Sequence, residues 1–374
     1  MSKFLAIFFS LYTAVHALVY LRFRILIPDR KLGQPLFIFF LVLMIAAPVL
    51  GRLLEKGGAD LPARYAAAIG FNWMGIVFLA FCGAVLMQVL DGLLWGLNHF
   101  SGMNVPLLTG KFPALVVGGL VLCLSIWGHV ETRTIEVERL RLETEKLPSG
   151  IDRLKIVQIS DVHLGLLTGS GRLKKILAKV KSETPDLLVC TGDLIDSMSG
   201  RLSQNMALFN EIRPRYGKYA VTGNHEYYTG LDRSAAFIQG AGFILLRQEW
   251  VTISGLINIA GVDDAAFNKP GSEVKILTAI DNKLFTLFLK HRPLIEKRSL
   301  GLFDLQLSGH THGGQIFPFH YVVRLQYPLP TGHVTLPNNS HLYTNRGTGT
   351  WGPQMRILSA PEITVVELTG KDGP

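Results

Sequence analysis

Residues 154–165 read LKIVQISDVHLG, and this stretch decides the fold. An apolar run rich in isoleucine and valine ends at Ser160, and an aspartate and a histidine follow it two positions apart. Such a run predicts a buried β-strand. Ligands in open α/β sheets gather beyond the carboxyl ends of strands. Asp161 and His163 therefore stand where a functional site is expected.

Four more motifs follow predicted strands in the same way. The strands read DLLVCT, KYAVT, FTLFLK and DLQLS, and the motifs after them are Gly192-Asp193, Gly223-Asn224-His225-Glu226, His291 and Gly309-His310-Thr311-His312. Each motif alone is weak, because Gly-Asp and Gly-Asn also form turns. All five in order, each at a strand end, are not expected by accident. Alternate residues of an extended segment point the same way, so Asp-x-His and His-x-His can each aim two atoms at one ion.

The side chains of these motifs suit a pair of metal ions. Two aspartates, one asparagine and four histidines are available, and His225 is left over. A shared aspartate would let them fill two sites about 3.5–4 Å apart. Imidazole and carboxylate ligands without thiolate favour Mn, Fe or Zn over Ca or Mg. The sequence therefore predicts two divalent metal ions held by Asp161, His163, Asp193, Asn224, His291, His310 and His312.

The N-terminal third of the chain is different in character. Residues 1–130 hold only 13 of the 65 Asp, Glu, Lys and Arg residues. A bilayer core needs about 20 mostly apolar residues per helix, and four stretches meet that need, roughly 4–21, 35–54, 66–90 and 112–130. We therefore expect residues 1–130 to form an all-α, four-helix transmembrane anchor in a lipid bilayer, which makes the chain a multi-pass protein of the cell membrane.

The rest of the chain predicts a globular domain. Residues 131–150 form a junction in which TIEVERLRLE has the two-residue period of an edge strand. From 151 to 374, strands alternate with helices and then mostly strands follow, which indicates an α/β domain with packed sheets. The net charge is +9, but no block of Lys and Arg with interleaved aromatics occurs. No nucleic-acid partner is therefore expected.

Taken together, the motifs resemble those of the calcineurin-like metallophosphoesterase superfamily. The flanking residues SDVHLG, TGDLID, TGNHEYY and LSGHTHGGQIFP are similar to those of its bacterial membrane-associated phosphoesterase branch, and the resemblance covers roughly 151–369. It implies a four-layer α/β/β/α sandwich for residues 151–374. It also implies a hydrolase that cleaves phosphoester or pyrophosphate bonds.

The resemblance also implies a role for each residue. One metal would be held by Asp161, His163, Asp193 and His312, and the other by Asp193, Asn224, His291 and His310. A hydroxide that bridges the metals would attack phosphorus, with Asp193 as the shared ligand. His225 would face the leaving group as the second catalytic residue. Four carboxylates are candidates to orient the histidines, namely Asp196, Glu226, Asp263 and Asp264.

Several alternatives stay open at this stage. The substrate could be a phosphomonoester, a phosphodiester or a pyrophosphate, and the anchor suggests one linked to a lipid. A catalytically inactive membrane sensor or scaffold would predict a missing ligand, whereas all seven are present. Metal identity and oligomeric state are undetermined. Basic residues around the spans number eight on the terminal side and five on the other, which favours a cytoplasmic catalytic domain, although the first loop alone favours the opposite side.

Overall fold

The computed structural model describes residues 2–27, 31–198, 202–267 and 271–370. The chain divides into two compact units. One comprises Met1–Val130 with Gly352–Met355, and the other comprises Glu131–Trp351 with Arg356–Pro374.

The first unit contains four long helices: α1 (Ser2–Phe23), α2 (Gly33–Lys56), α3 (Asp60–Ser101) and α4 (Lys111–Glu131). Each is long and apolar enough to cross a membrane, which confirms the four predicted spans. The span expected at 66–90 is part of a 42-residue helix, about 63 Å long at 1.5 Å per residue. Its polar ends extend the helix beyond the apolar run that marks it in the sequence.

Small residues let α2 and α3 approach each other closely. A Cβ atom added to Gly51 would lie 2.9 Å from the backbone nitrogen of Ala67, and one added to Gly70 would lie 2.7 Å from that of Pro48. By contrast, nothing among the described residues lies within 4 Å of a Cβ added to Gly92. Glycine at 51 and 70 therefore permits the close backbone contact that drives helix association in membranes.

Two buried polar side chains in this unit have structural partners. Asp91 on α3 forms an ion pair with Arg22 on α1. His16 lies 2.7 Å from the carbonyl oxygen of Tyr12 through Nδ1, and its Nε2 accepts a hydrogen bond of 2.9 Å from Trp73. Polar groups inside a membrane often mark function. Here their contacts account for them as links between helices.

The second unit begins with β1 (Glu136–Thr144), β2 (Arg153–Ile159), α5 (Ser170–Ser182), β3 (Leu187–Cys190), α6 (Leu202–Asn210), β4 (Lys218–Ala220), α7 (Asn224–Thr229) and α8 (Leu231–Gly240). It continues with β5 (Ile244–Leu245), β6 (Glu249–Ile253), β7 (Ile257–Gly261), α9 (Ser272–Leu277) and β8 (Phe285–Leu289). It ends with β9 (Leu305–Ser308), α10 (His320–Gln326), β10 (Gly332–Thr335), β11 (His341–Thr344) and β12 (Glu362–Gly370).

These strands form two mixed sheets of six, in the orders β1-β12-β2-β3-β4-β5 and β10-β11-β9-β8-β7-β6. Alternation along β2 shows how they pack, because successive side chains point to opposite faces. Ile156 lies in the core between the two sheets, whereas Val157 lies in the core beneath α5, α6 and α8. Leu277 of α9 packs on the outer face of the second sheet with Phe288. The predicted four-layer α/β/β/α arrangement is confirmed.

The segment TIEVERLRLE forms the edge strand that its period predicts. β1 pairs in parallel with β12 from Glu136 opposite Glu362 to Thr144 opposite Gly370. β12 in turn pairs antiparallel with β2. The junction is therefore the outermost strand of the first sheet.

The α2–α3 contact predicts a difference between two glycines. In the full chain in detergent, we expect Gly70→Leu to destabilise the helical unit by about 1–3 kcal/mol, because the added side chain overpacks the contact. Gly92→Leu is the matched control and should leave stability unchanged. The measurement is the loss of helical circular dichroism on heating. Equal effects of the two substitutions would contradict the role given to Gly70.

Candidate metal centre

All seven predicted ligands and His225 lie in loops that directly follow strands. Asp161 and His163 follow β2, and Asp193 follows β3. Asn224 and His225 open α7 just after β4. His291 follows β8, and the pair His310 and His312 follows β9. The two sheets thus present these loops at the carboxyl ends of their parallel strands, where α/β proteins bind ligands.

Five of these residues adopt a backbone conformation that is uncommon outside glycine. The φ angles of Asp161, His163, Asp193, His310 and His312 lie between 49° and 72°. Backbone hydrogen bonds hold this conformation, since Asp161 and His163 each donate at 3.0 Å to carbonyl oxygens of the loop after β3. Strain of this kind collects at functional sites, where the fold enforces it. It turns the side chains towards one point.

The first group of converging side chains is Asp161, His163 and His312. The Nε2 atoms of the two histidines are 3.1 Å apart. Oδ1 of Asp161 lies 3.4 Å from Nε2 of His312 and 4.0 Å from Nε2 of His163. All three residues are buried.

The second group is Asp193, His291 and His310. Nε2 of His291 lies 3.2 Å from Oδ2 of Asp193 and 3.1 Å from Nδ1 of His310. The same Oδ2 atom lies 3.8 Å from Nε2 of His163 in the first group. Asp193 therefore stands between the two groups.

Asn224 adds an oxygen without a hydrogen bond. Its Oδ1 atom is buried and has no hydrogen-bond partner among the described residues. Buried polar atoms are nearly always paired, so an orphan requires an explanation. An amide oxygen, carboxylates and imidazole nitrogens, without a thiolate, form a donor set suited to divalent Mn, Fe or Zn. The residues present therefore fit the two metal ions that the sequence predicts.

The charge states of the histidines support this interpretation. Burial and the neighbouring His225 lower the pKa of His163 to about 3, and burial and His291 lower the pKa of His310 to about 3. Burial also lowers the pKa of His312. These imidazoles are neutral at pH 7 and keep a lone pair for a metal.

The two aspartates remain ionised. Burial raises the pKa of Asp161, but the hydrogen bond and charge of His312 outweigh burial, and the pKa falls below its usual range. His291 and His225 do the same for Asp193. In return, Asp193 outweighs the burial of His291 and raises its pKa to about 10. A cation bound at this position would displace that proton.

His225 differs from the seven other residues in its partner. Its Nδ1 atom forms an ion pair of 2.8 Å with Oδ1 of Asp196. Burial opposes a charge on this imidazole, but Asp193 and Asp196 outweigh burial and raise its pKa. The ring also lies 5.3 Å from the ring of Tyr228 and 5.7 Å from that of Trp351. It is therefore a protonated imidazole beside the candidate metal ligands, at an aromatic margin.

The structure gives different tasks to the carboxylates that could orient histidines. Asp196 binds His225, and Glu226 instead accepts hydrogen bonds from backbone N–H groups of the loops that carry Asp193 and Asn224. The remaining two pair with arginines: Asp263 with Arg247, and Asp264 with Arg292.

Arg356 is a residue that the motifs do not reveal. Its side chain is fully buried, which lowers its pKa to about 9. It donates to the carbonyl oxygens of Arg346, Gly349 and Ser359, and its Nη2 atom lies 3.1 Å from Nδ1 of His312. It therefore fixes the loop around a candidate ligand. The only sign in the sequence is a single arginine within the otherwise uncharged segment PQMRIL.

Two motif glycines are required by close approach. A Cβ atom at Gly223 would lie 2.1 Å from Oδ1 of Asp193, and one at Gly309 would lie 2.2 Å from Oδ2 of Asp161. Real Cβ atoms do not approach this closely, so any larger residue would push the aspartates away.

Comparison with known proteins agrees with this geometry. Residues 154–314 match the family model described as calcineurin-like phosphoesterase. An uncharacterized metallophosphoesterase of Aquifex aeolicus (strain VF5) is 39% identical over 258 residues, which cover 67% of this chain and 98% of that protein. The uncharacterized metallophosphoesterase YkuE of Bacillus subtilis (strain 168) is 32% identical and covers 70% of this chain and 96% of its own length. A transmembrane protein with metallophosphoesterase domain of Danio rerio is 28% identical over 83% of this chain and 75% of that protein. The chain belongs to the calcineurin-like metallophosphoesterase family.

Proposed function

We propose that this chain is a membrane-anchored phosphoesterase that requires two divalent metal ions, with residues 1–130 as the anchor. The observation that carries the proposal is the convergence of the buried ligand groups on either side of Asp193. Asp161, His163, Asp193 and His312 would hold one ion, and Asp193, Asn224, His291 and His310 the other. Bound there, the ions supply Lewis acidity that lowers the pKa of water and offsets charge on a phosphoryl group.

His225 is the proposed proton donor to the leaving group. Asp196 holds its Nδ1 atom at 2.8 Å, so its Nε2 atom is the one that can reach a substrate. Its pKa is raised because Asp193 and Asp196 outweigh burial. The imidazole therefore keeps its proton to a higher pH than an ordinary histidine. A protonated imidazole both stabilises developing charge and protonates a departing oxygen.

An apolar margin beside His225 favours a substrate with an apolar part. Tyr228, Phe267 and Trp351 are 68%, 45% and 51% exposed, and the ring of Tyr228 lies 6.1 Å from that of Phe267. Exposed aromatic side chains around a polar site suit a molecule that is charged at one end only. Together with the four apolar helices, they support a lipid-linked phosphoester or pyrophosphate, processed on the cytoplasmic side.

The proposed ligands predict specific losses of metal. In the full chain in detergent, we expect about two Mn²⁺ per chain, little metal bound to Asp193→Asn, and about half the metal bound to Asn224→Ala, because one ligand is shared and the other is not. Asp196→Asn removes a nearby carboxylate that is not a proposed ligand and should keep both ions. Elemental analysis after gel filtration measures the content. Full occupancy in Asp193→Asn would overturn the ligand set.

The proposed activity predicts hydrolysis of simple esters. With Mn²⁺, we expect the full chain to cleave bis-p-nitrophenyl phosphate or p-nitrophenyl phosphate, and the ratio of the two rates separates a diesterase from a monoesterase. Asp193→Asn should abolish turnover, and His225→Ala should reduce kcat about 10²–10⁴-fold while both ions stay bound. Release of p-nitrophenol is the measurement. If two ions bind but these esters, phospholipids and lipid pyrophosphates are all left uncleaved, the inactive sensor or scaffold becomes the better account.

The contact between Asp196 and His225 predicts a pH effect. The proton donor must be protonated, so kcat/KM should fall as the pH rises through the pKa of His225 in the free enzyme. That pKa is raised by Asp193 and Asp196. Asp196→Asn removes one of the two charges, so the descending limb of the profile should move to lower pH without loss of metal. An unmoved limb would contradict His225 as the donor.

A further inference from the structure

An apolar surface surrounds α10 in the catalytic unit. Five large apolar side chains within nine residues are exposed there, and we call them the α10 patch: Phe317 (40%), Phe319 (44%), Tyr321 (58%), Val322 (53%) and Leu325 (86%). Single exposed apolar residues are ordinary, but a contiguous group of them marks an interaction surface.

The helix presents these residues in a way typical of membrane surfaces. Tyr321, Val322 and Leu325 occupy positions i, i+1 and i+4, which share one side of a helix. Arg324 lies beside them and is also exposed. A helix with aromatic and aliphatic side chains on one face and a basic residue at its border is suited to the boundary between lipid headgroups and acyl chains.

A second segment extends the same surface. Phe317 donates a backbone hydrogen bond of 3.2 Å to the carbonyl oxygen of Ile357, so the next residue, Leu358, lies beside the α10 patch. Leu358 is 66% exposed and has a φ of 57°. Such a φ is rare and costly for a bulky residue. The chain here accepts backbone strain at a leucine whose side chain points outward, which burial inside the protein does not explain.

The α10 patch is connected to the candidate metal centre. Gln315, two residues before the patch, donates to the carbonyl oxygen of Trp351 at 2.9 Å and accepts from its N–H at 3.0 Å. The ring of Trp351 lies 5.7 Å from that of His225. At the other end of α10, the ring of Tyr327 lies 5.2 Å from that of His310. Both ends of the patch thus border the site.

The chain itself indicates what covers this surface. It carries four helices long and apolar enough to cross a membrane. Only four residues separate the end of α4 at Glu131 from the start of β1 at Glu136, so the catalytic unit begins within about 18 Å of a membrane helix. A bilayer is therefore always within reach. The basic Arg324 also suits anionic headgroups.

We propose that the α10 patch and Leu358 form a membrane-contacting surface, seated in the headgroup region of the bilayer that holds the anchor. The juxtaposition of this surface with the site has a consequence that rests on the proposed function. A lipid-linked substrate could keep its acyl chains in the bilayer while its phosphoryl group reaches His225.

A fluorescent probe tests the contact without reference to catalysis. Cys82 and Cys123 are replaced by alanine in the full chain, whereas Cys190 is buried and is kept. An environment-sensitive NBD label is then attached to Leu325→Cys, with Lys283→Cys as the control. The side chain of Lys283 is 85% exposed and precedes β8, at the opposite end of that strand from His291. Both proteins are placed in nanodiscs of phosphatidylethanolamine and phosphatidylglycerol.

The two probe positions should respond in opposite ways. We expect lipids with a nitroxide on the acyl chain to reduce the fluorescence at Leu325→Cys by about twofold, with little effect of aqueous iodide, because the patch lies at the acyl boundary. Lys283→Cys should respond to iodide alone. Quenching of Leu325→Cys by iodide and not by the lipids overturns the proposal. Shielding from both quenchers that depends on the number of chains per nanodisc also overturns it, in favour of a second copy.

Discussion

The carboxylate of Glu226 ties together the loops that carry the centre of the site. It accepts hydrogen bonds from the backbone N–H groups of Asp193, Leu194, Ile195 and Gly223, at 3.0, 2.8, 3.1 and 2.7 Å. Hydrogen bonds to a charged acceptor contribute roughly 1.5–3 kcal/mol each. The side chain is fully buried, and burial together with Asp193 raises its pKa to about 7. The position of Asp193, on which both ligand groups depend, follows from this one buried anion.

The rest of the site is held in a conformation that the loops would not adopt alone. Aspartates and histidines with positive φ, and ring nitrogens 3.1 Å apart, are unfavourable in an isolated loop. Two packed sheets make them possible, because the buried strands before each loop cannot shift. Arg356 contributes in the same way by binding several carbonyl oxygens around His312. The stability of the sandwich is therefore what keeps the ligand atoms together.

Much of this could be predicted from local patterns. The strand before Asp161, the edge strand in TIEVERLRLE and the four apolar spans all follow from periodicity over a few residues. The partners of buried charges do not. Glu226 and Asp196 are equally plausible partners for a histidine in sequence, and only the path of the loops sends one to backbone N–H groups and the other to His225. Likewise, Gly70 and Gly92 look alike until α2 packs against one of them.

The parallel pairing of β1 with β12 affects how this protein can be divided. Without β1, the last strand would carry an unpaired edge along nine residues. Open edges of that length recruit strands from other molecules. The hydrolase fold and the membrane helices are therefore not modules that can be separated at the Pro148-Ser149-Gly150 turn. Any exchange of the anchor, by recombination or by design, has to be made before Glu136 if the first sheet is to remain closed against aggregation.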